Sequence, residues 1–102
     1  MTTFGARQKN LLEVKETHSA LTLEFASNIA LLPRLTGLCT AFLQRLELGT
    51  CPHASLIVRE LVSNAITHGN GNDYRKNVRC EVAHLGDRDI RITVEDAGAG
   101  FD

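Results

Sequence analysis

Three short segments of the chain alternate apolar and polar residues, which is the pattern of strands that bury one face of a sheet. The apolar members are Leu21, Leu23 and Phe25 in the first segment, Val78, Cys80 and Val82 in the second, and Ile90, Ile92 and Val94 in the third. Residues 86–89 (GDRD), between the last two segments, are typical of a tight turn. These two segments therefore predict a β-hairpin.

Between the first and second segments the apolar spacing becomes helical. A first helix is predicted with Pro33 in its opening turn, where a proline costs no hydrogen bond, and Gly49 at its end. A second helix is predicted from residues 50–53 to His68, with Gly69 as its C-cap. The order strand, helix, helix, strand, strand predicts an α/β fold, namely a two-layer α/β sandwich with a mixed sheet and both helices on one face.

Composition narrows the class of protein. The chain has 102 residues, 43% of them hydrophobic, and a formal net charge of −1 at pH 7. One folded domain is expected, and the balanced charge gives no electrostatic basis for binding nucleic acid. No membrane span or secretory signal is visible. Cys39, Cys51 and Cys80 lack the paired spacing of a zinc site and indicate reduced thiols, with Cys39 in the core. We therefore expect a cytoplasmic protein that binds neither nucleic acid nor membrane.

The two ends of the chain differ from the patterned middle. Residues 1–19 are polar apart from Leu11, Leu12 and Val14, and we treat them as an N-terminal arm that is either mobile, a short strand or a helical turn. Residues 20–102 form the predicted domain. Its last residues, 96–102 (DAGAGFD), are a glycine-punctuated turn. Because such turns usually lead into another element, we expect this to be part of a longer domain.

A polar strip runs along the second predicted helix. At about 100° per residue, Ile57 and Leu61 belong to its apolar half, while Glu60 and Asn64 lie one above the other along the edge of that half. A carboxylate there can accept a proton, and an amide oxygen can ligate a hard cation such as Mg²⁺. Taken alone, this spacing is more typical of a solvated Glu and a solvated or capping Asn.

The turn that begins at Asp96 is the second polar feature. Gly98 and Gly100 would let the backbone approach a ligand closely or would act as a hinge. Asp96, at the end of a strand, could accept a hydrogen bond from a ligand's amino group. Taken alone, the segment is equally typical of an ordinary strand-ending turn.

The two features together resemble a known family. Residues 60–69 (ELVSNAITHG) resemble the N-box of the GHKL ATPase superfamily, and residues 94–102 (VEDAGAGFD) resemble its G1 box. The His-Gly that ends the first motif and the Gly-Phe-Asp in the second resemble the anti-sigma-factor serine/threonine kinases in particular. The resemblance covers residues 20–102 and implies a Bergerat-type ATP-binding fold. In that family a lid, a second glycine box and further strands follow the G1 box, so the chain looks truncated there.

The resemblance implies a role for each matched residue, with ATP and Mg²⁺ as cofactors. Glu60 would be the catalytic general base, Asn64 would hold the Mg²⁺ that bridges the ATP phosphates, and Asp96 would accept the adenine amino group. Two glycines would let the backbone approach the nucleotide and would hinge the lid, and two polar residues would lie on the phosphate side. These are Gly98 and Gly100, and Thr67 and Asn70.

The resemblance also implies a function. A kinase of this kind phosphorylates a serine on a small STAS-domain anti-sigma antagonist and, when unopposed, sequesters a sigma factor, so it regulates transcription. Its partners would be that sigma factor and that STAS-type anti-anti-sigma protein, and a homodimer is possible for such relatives. One alternative is a non-catalytic module, or a truncated domain of a larger regulator, that uses the ATP fold to hold a partner. Another is an ATPase-like domain linked to a response regulator or a phosphatase.

Overall fold

The structure, a computed structural model, describes residues 12–47 and 52–96. Its sheet contains four strands in the order in which they occur along the chain. They are β1 (Leu12–Glu16), β2 (Ala20–Ala26), β3 (Asn77–Gly86) and β4 (Asp89–Asp96). The connection from β2 to β3 contains a 3₁₀ turn (Ile29–Leu31), α1 (Leu32–Arg45), α2 (Pro52–Asn64) and a π-helical turn (Ala65–Gly69). The predicted α/β class, a sheet layered with two helices, is confirmed.

All pairings between the described strands are antiparallel, whereas we expected a mixed sheet. The helix pair explains the difference. From the end of β2, α1 carries the chain back along the sheet and α2 carries it forward again. The chain therefore enters β3 where it left β2, and Ala26 pairs with Asn77. A parallel neighbour would need a single crossover helix.

Both helices contribute to one core on the inward face of the sheet. The alternating residues of β2 and β3 are at most 1% exposed, as the pattern predicts. From the helices, the core receives Leu35, Cys39 and Phe42 of α1 and Val58 and Val62 of α2. β4 lies at the edge of the sheet formed by the described residues, and its apolar residues Ile90, Ile92 and Val94 are only partly buried. Within the described residues, neither helix is long and apolar enough to cross a bilayer.

The structure defines two features at the ends of elements: the conformation of the N-terminal arm and the end of α1. Of the alternatives for the N-terminal arm, residues 12–16 adopt the strand, and Leu12 pairs with Phe25 of β2. Arg45, at the end of α1, donates from Nε and Nη2 to Glu16 Oε2 at 2.9 and 2.5 Å, so β1 is also tied to the helix layer. The helix ends there rather than at Gly49, because Glu47 has a φ of 61°, outside the helical region.

Candidate functional site

α2 has two exposed edges, one on each side of its buried face. On the edge next to α1, Ser55, Leu56 and Arg59 line a groove of about 830 Å³ between the two helices. On the other edge lie Glu60 and Asn64, one turn apart and both exposed. No described residue of the predicted site lines the groove. The predicted pair therefore occupies a surface of its own on the side of α2 away from α1.

The surface around this pair is more apolar than predicted. Ile57 and Leu61 were expected in the buried half of the helix, but they are 46% and 39% exposed. The buried face is narrower because it is centred on Val58 and Val62, and no described element covers the helix edge beyond it. Glu60 and Asn64 thus stand beside exposed apolar side chains. This edge of α2 therefore offers both apolar and polar contacts to a ligand.

Beyond Asn64 the helix changes type. The Asn70 N–H donates to the Ala65 carbonyl at 2.8 Å, a bond across five residues that defines the π turn. Turns of this kind are rare and occur frequently at functional sites. The extra residue in the turn shifts the positions that follow. Thr67 is half-buried, and its Oγ1 donates to the Ser63 carbonyl at 2.8 Å. Its role on the phosphate side stays a prediction.

Gly69, the last residue of the π turn, lies directly against Asp96 at the end of β4. A Cβ on Gly69 would be 2.9 Å from Asp96 Oδ1 and closer still to Cγ and Oδ2, so no side chain fits there while the carboxyl group holds its position. Gly69 is not in the left-handed region, unlike Gly71 and Gly86. The prediction of Gly69 as the C-cap was wrong, since Gly69 is the last residue of the π turn and Asn70 caps it.

Asn70 has a structural role that the sequence did not indicate. It is 3% exposed, and its Nδ2 donates to Ser27 Oγ at 2.7 Å and to the Asn77 carbonyl at 3.1 Å. Ser27 Oγ in turn donates to the Lys76 carbonyl at 2.6 Å. The side chain therefore joins the end of the π turn to the end of β2 and the beginning of β3. Whether it also contacts a phosphate stays a prediction.

The structure thus brings the two sequence motifs together at one edge of the molecule. α2 carries Glu60 and Asn64, the π turn continues it to Gly69, and both elements pack against β4, which ends at Asp96. The contact between Gly69 and Asp96 was missed because nothing in a single sequence pairs a helix end with a strand end. Gly98 and Gly100 lie outside the described residues.

A family model for the histidine kinase-like ATPase domain matches residues 25–102. The chain belongs to this family. The match supports a GHKL-type ATP-binding domain, and it includes both motifs and every residue of the predicted site. Comparisons with curated proteins and with solved structures give no match.

A GHKL-type domain implies nucleotide binding, usually with Mg²⁺, and the donor set fits a metal shared with a nucleotide. In residues 12–47 and 52–96, no three His, Cys, Asp or Glu side chains are grouped to hold a metal ion. Asn64 offers an exposed amide oxygen at the edge of α2. Mg²⁺ commonly takes one or two protein oxygens and completes its shell with phosphates and water. A single amide ligand agrees with that kind of site.

Proposed function

We propose that this chain binds ATP with Mg²⁺ at the edge formed by α2, the π turn and the end of β4, and that it is the kinase domain of an anti-sigma-type protein serine/threonine kinase. The observation that carries the proposal is the contact between Gly69 and Asp96. It joins the end of the N-box-like segment to the beginning of the G1-like segment, so both motifs contribute to one site.

The described side chains suit an adenine nucleotide. When ionised, the exposed Asp96 carboxylate can only accept hydrogen bonds, so it favours a base with an amino group at C6, as in adenine. Ile57 and Leu61 add exposed apolar surface on the same side of α2 as Asn64. In this proposal the amide oxygen of Asn64 holds the Mg²⁺, which would neutralise charge on the phosphates when bound.

Glu60 is the proposed general base. It lies one turn before Asn64 on the same exposed edge, within reach of a protein substrate that approaches from solvent. Phosphoryl transfer requires little covalent chemistry from the protein, and catalysis depends mainly on positioning and charge neutralisation. A carboxylate that orients the attacking hydroxyl and accepts its proton meets that requirement.

The proposed substrate is a serine on a small STAS-domain antagonist, and the proposed second partner is a sigma factor in the cytoplasm. Support comes from the His-Gly that ends residues 60–69 and the Gly-Phe-Asp at the end of the chain, which resemble the anti-sigma kinases. The proposal includes a homodimer, as is frequent among such kinases.

Calorimetric titration tests the nucleotide site. We expect the chain to bind ATP and ADP in a Mg²⁺-dependent way, Asp96→Ala to abolish binding, and Asn64→Ala to remove the Mg²⁺ dependence. Glu95→Ala is the matched control, since Glu95 is an exposed carboxylate beside Asp96 on β4. An equal loss of nucleotide affinity in the Asp96 and Glu95 variants, with both proteins folded, would contradict the assignment of Asp96 to the nucleotide site.

A phosphorylation assay with a STAS-domain partner tests the chemistry. We expect phosphoserine on the partner, and a decrease of about 100-fold or more in Glu60→Ala, as for loss of a general base. Glu81→Ala, on the sheet, is the control and should retain the full rate. A partner that binds the nucleotide-loaded chain without being phosphorylated would favour the non-catalytic module instead.

A further inference from the structure

The outer edge of β1 has no partner strand among the described residues. β1 (Leu12–Glu16) is the first strand in the order of the sheet, and of the described strands only β2 pairs with it. Such an edge presents a row of backbone N–H and C=O groups to which another strand can be added. It lies at the opposite end of the sheet from β4, which ends at Asp96, so it is separate from the proposed nucleotide site.

The turn between β1 and β2 shows which residues of β1 direct their backbone groups outward. The Thr17 N–H donates to the Ala20 carbonyl at 2.8 Å, so these two opposed residues form a hydrogen-bonded pair. Hydrogen-bonded and non-hydrogen-bonded pairs alternate along an antiparallel ladder. The odd-numbered residues of β1 therefore bond to β2. The N–H and C=O groups that point away from β2 belong to Leu12, Val14 and Glu16.

We propose that this edge is a homodimer interface, at which β1 of a second copy of the chain adds antiparallel to β1 about a two-fold axis at Val14. In this register the residues with outward backbone groups face one another, because Val14 meets the partner's Val14 and Leu12 meets the partner's Glu16. The four-stranded sheet then continues from one copy into the other. This interface gives a location to the homodimer included in the proposed function, and it requires no bound nucleotide.

The charges on the outer face of β1 select this register. Glu13 and Lys15 are both exposed and alternate with the inward residues of the strand. With Val14 at the axis, each Glu13 lies directly opposite the partner's Lys15, so the dimer contains this attractive pair twice. An axis at Glu13 or at Lys15 also lets the outward backbone groups bond, but it places two glutamates or two lysines opposite each other. Like charges in that position are destabilising.

Val14 adds an apolar contact on the inward face. It is 45% exposed although it lies opposite the buried Leu23 of β2. At the axis, the side chain of each Val14 covers that of the other. Because the strand has only five residues, the interface is small, and the association is expected to be reversible and concentration-dependent.

Sedimentation equilibrium of the full chain, at concentrations up to the millimolar range, tests the interface. We expect an equilibrium between monomer and dimer. Glu13→Lys and Lys15→Glu should each weaken dimerisation by about 10-fold or more, because each makes both cross-strand pairs like-charged. The double variant that exchanges the two charges should dimerise as the wild type does. A mixture of the two single variants should form heterodimers, since its two kinds of strand are oppositely charged.

Two further variants separate the interface from general effects of charge and folding. Arg91→Glu makes the same change in net charge as Lys15→Glu, but on the exposed surface of β4, and it should leave dimerisation unchanged. Val14→Pro removes an outward N–H that the pairing of β1 with β2 does not use. Proline is tolerated at such positions of an edge strand, so this variant should fold as a monomer. Circular dichroism checks that each variant is folded.

Two results would overturn the proposal. One is a wild-type chain that stays monomeric throughout the concentration range. The other is a dimer that both single charge variants and Val14→Pro retain, because another face would then hold it together. Binding of Mg²⁺–ADP, measured on the same samples, should be equal in all of them. A chain that dimerises as expected but binds no nucleotide would therefore contradict the proposed function and leave the interface standing.

Discussion

Gly69 has no side chain, and the Asp96 carboxyl group occupies the volume that one would fill. We predict that Gly69→Ala displaces this carboxyl group and lowers the affinity for ADP by about 10-fold or more, since losing one charge-assisted hydrogen bond costs about 1.5–3 kcal/mol. Calorimetry measures this directly.

Gly37 is the matched control for this prediction. It lies within α1, and an added Cβ would have no atom within 4 Å. Gly37→Ala should therefore stabilise the protein by about 0.5–1 kcal/mol, as expected for glycine replaced by alanine in a helix, and leave ADP affinity unchanged. If both alanine variants lost affinity equally, the close approach of Gly69 and Asp96 would not be the cause.

At the level of the elements, the Asn70 side chain connects three segments: the π turn, the end of β2 and the beginning of β3. We predict that Asn70→Ala destabilises the protein by about 1–3 kcal/mol, because it leaves the Asn77 carbonyl and Ser27 Oγ without a buried donor. Urea unfolding followed by circular dichroism measures the change. A decrease of less than about 0.5 kcal/mol in the free energy of unfolding would contradict this structural role of Asn70.

Asn77→Ala is the control for Asn70→Ala, since the Asn77 side chain is exposed and its backbone carbonyl is retained. It should cost at most about 0.5 kcal/mol. Asn70→Ala also distinguishes the two roles assigned to Asn70, namely joining the elements and contacting a phosphate. If the folded variant binds ADP with unchanged affinity, the side chain has no phosphate contact and only joins the elements.

The sequence predicted those elements whose periodicity is set by burial. β2, β3, α1 and α2 each bury a face against the same core, so their apolar residues repeat at the spacing of a strand or a helix. The inward face of β1 has only two apolar residues, Leu12 and Val14, and Val14 is 45% exposed, so its pattern is too weak to separate a strand from a turn. The π turn and the Gly69–Asp96 contact leave no periodic signal at all.

In the whole molecule, the proposed site lies where chain segments distant in sequence meet. Glu60, Asn64 and Gly69 precede β3, and Asp96 ends β4, so the hairpin separates the two halves of the site along the chain. This follows from the antiparallel order of the sheet, in which β4 returns toward the end of α2. The site can therefore form only when β3 and β4 are paired and both are docked on the helix layer.

A nucleotide that contacts both halves should therefore stabilise the whole fold. We predict that Mg²⁺–ADP at about 100 times its Kd adds about 2.7 kcal/mol to the free energy of unfolding and raises Tm by about 10–20 °C. Differential scanning calorimetry with and without ligand measures this increase. GDP at the same concentration should give no shift in Tm, because guanine carries a carbonyl group at C6, where adenine has the amino group from which Asp96 would accept a hydrogen bond. An equal increase in Tm with GDP would show that Asp96 does not discriminate between adenine and guanine.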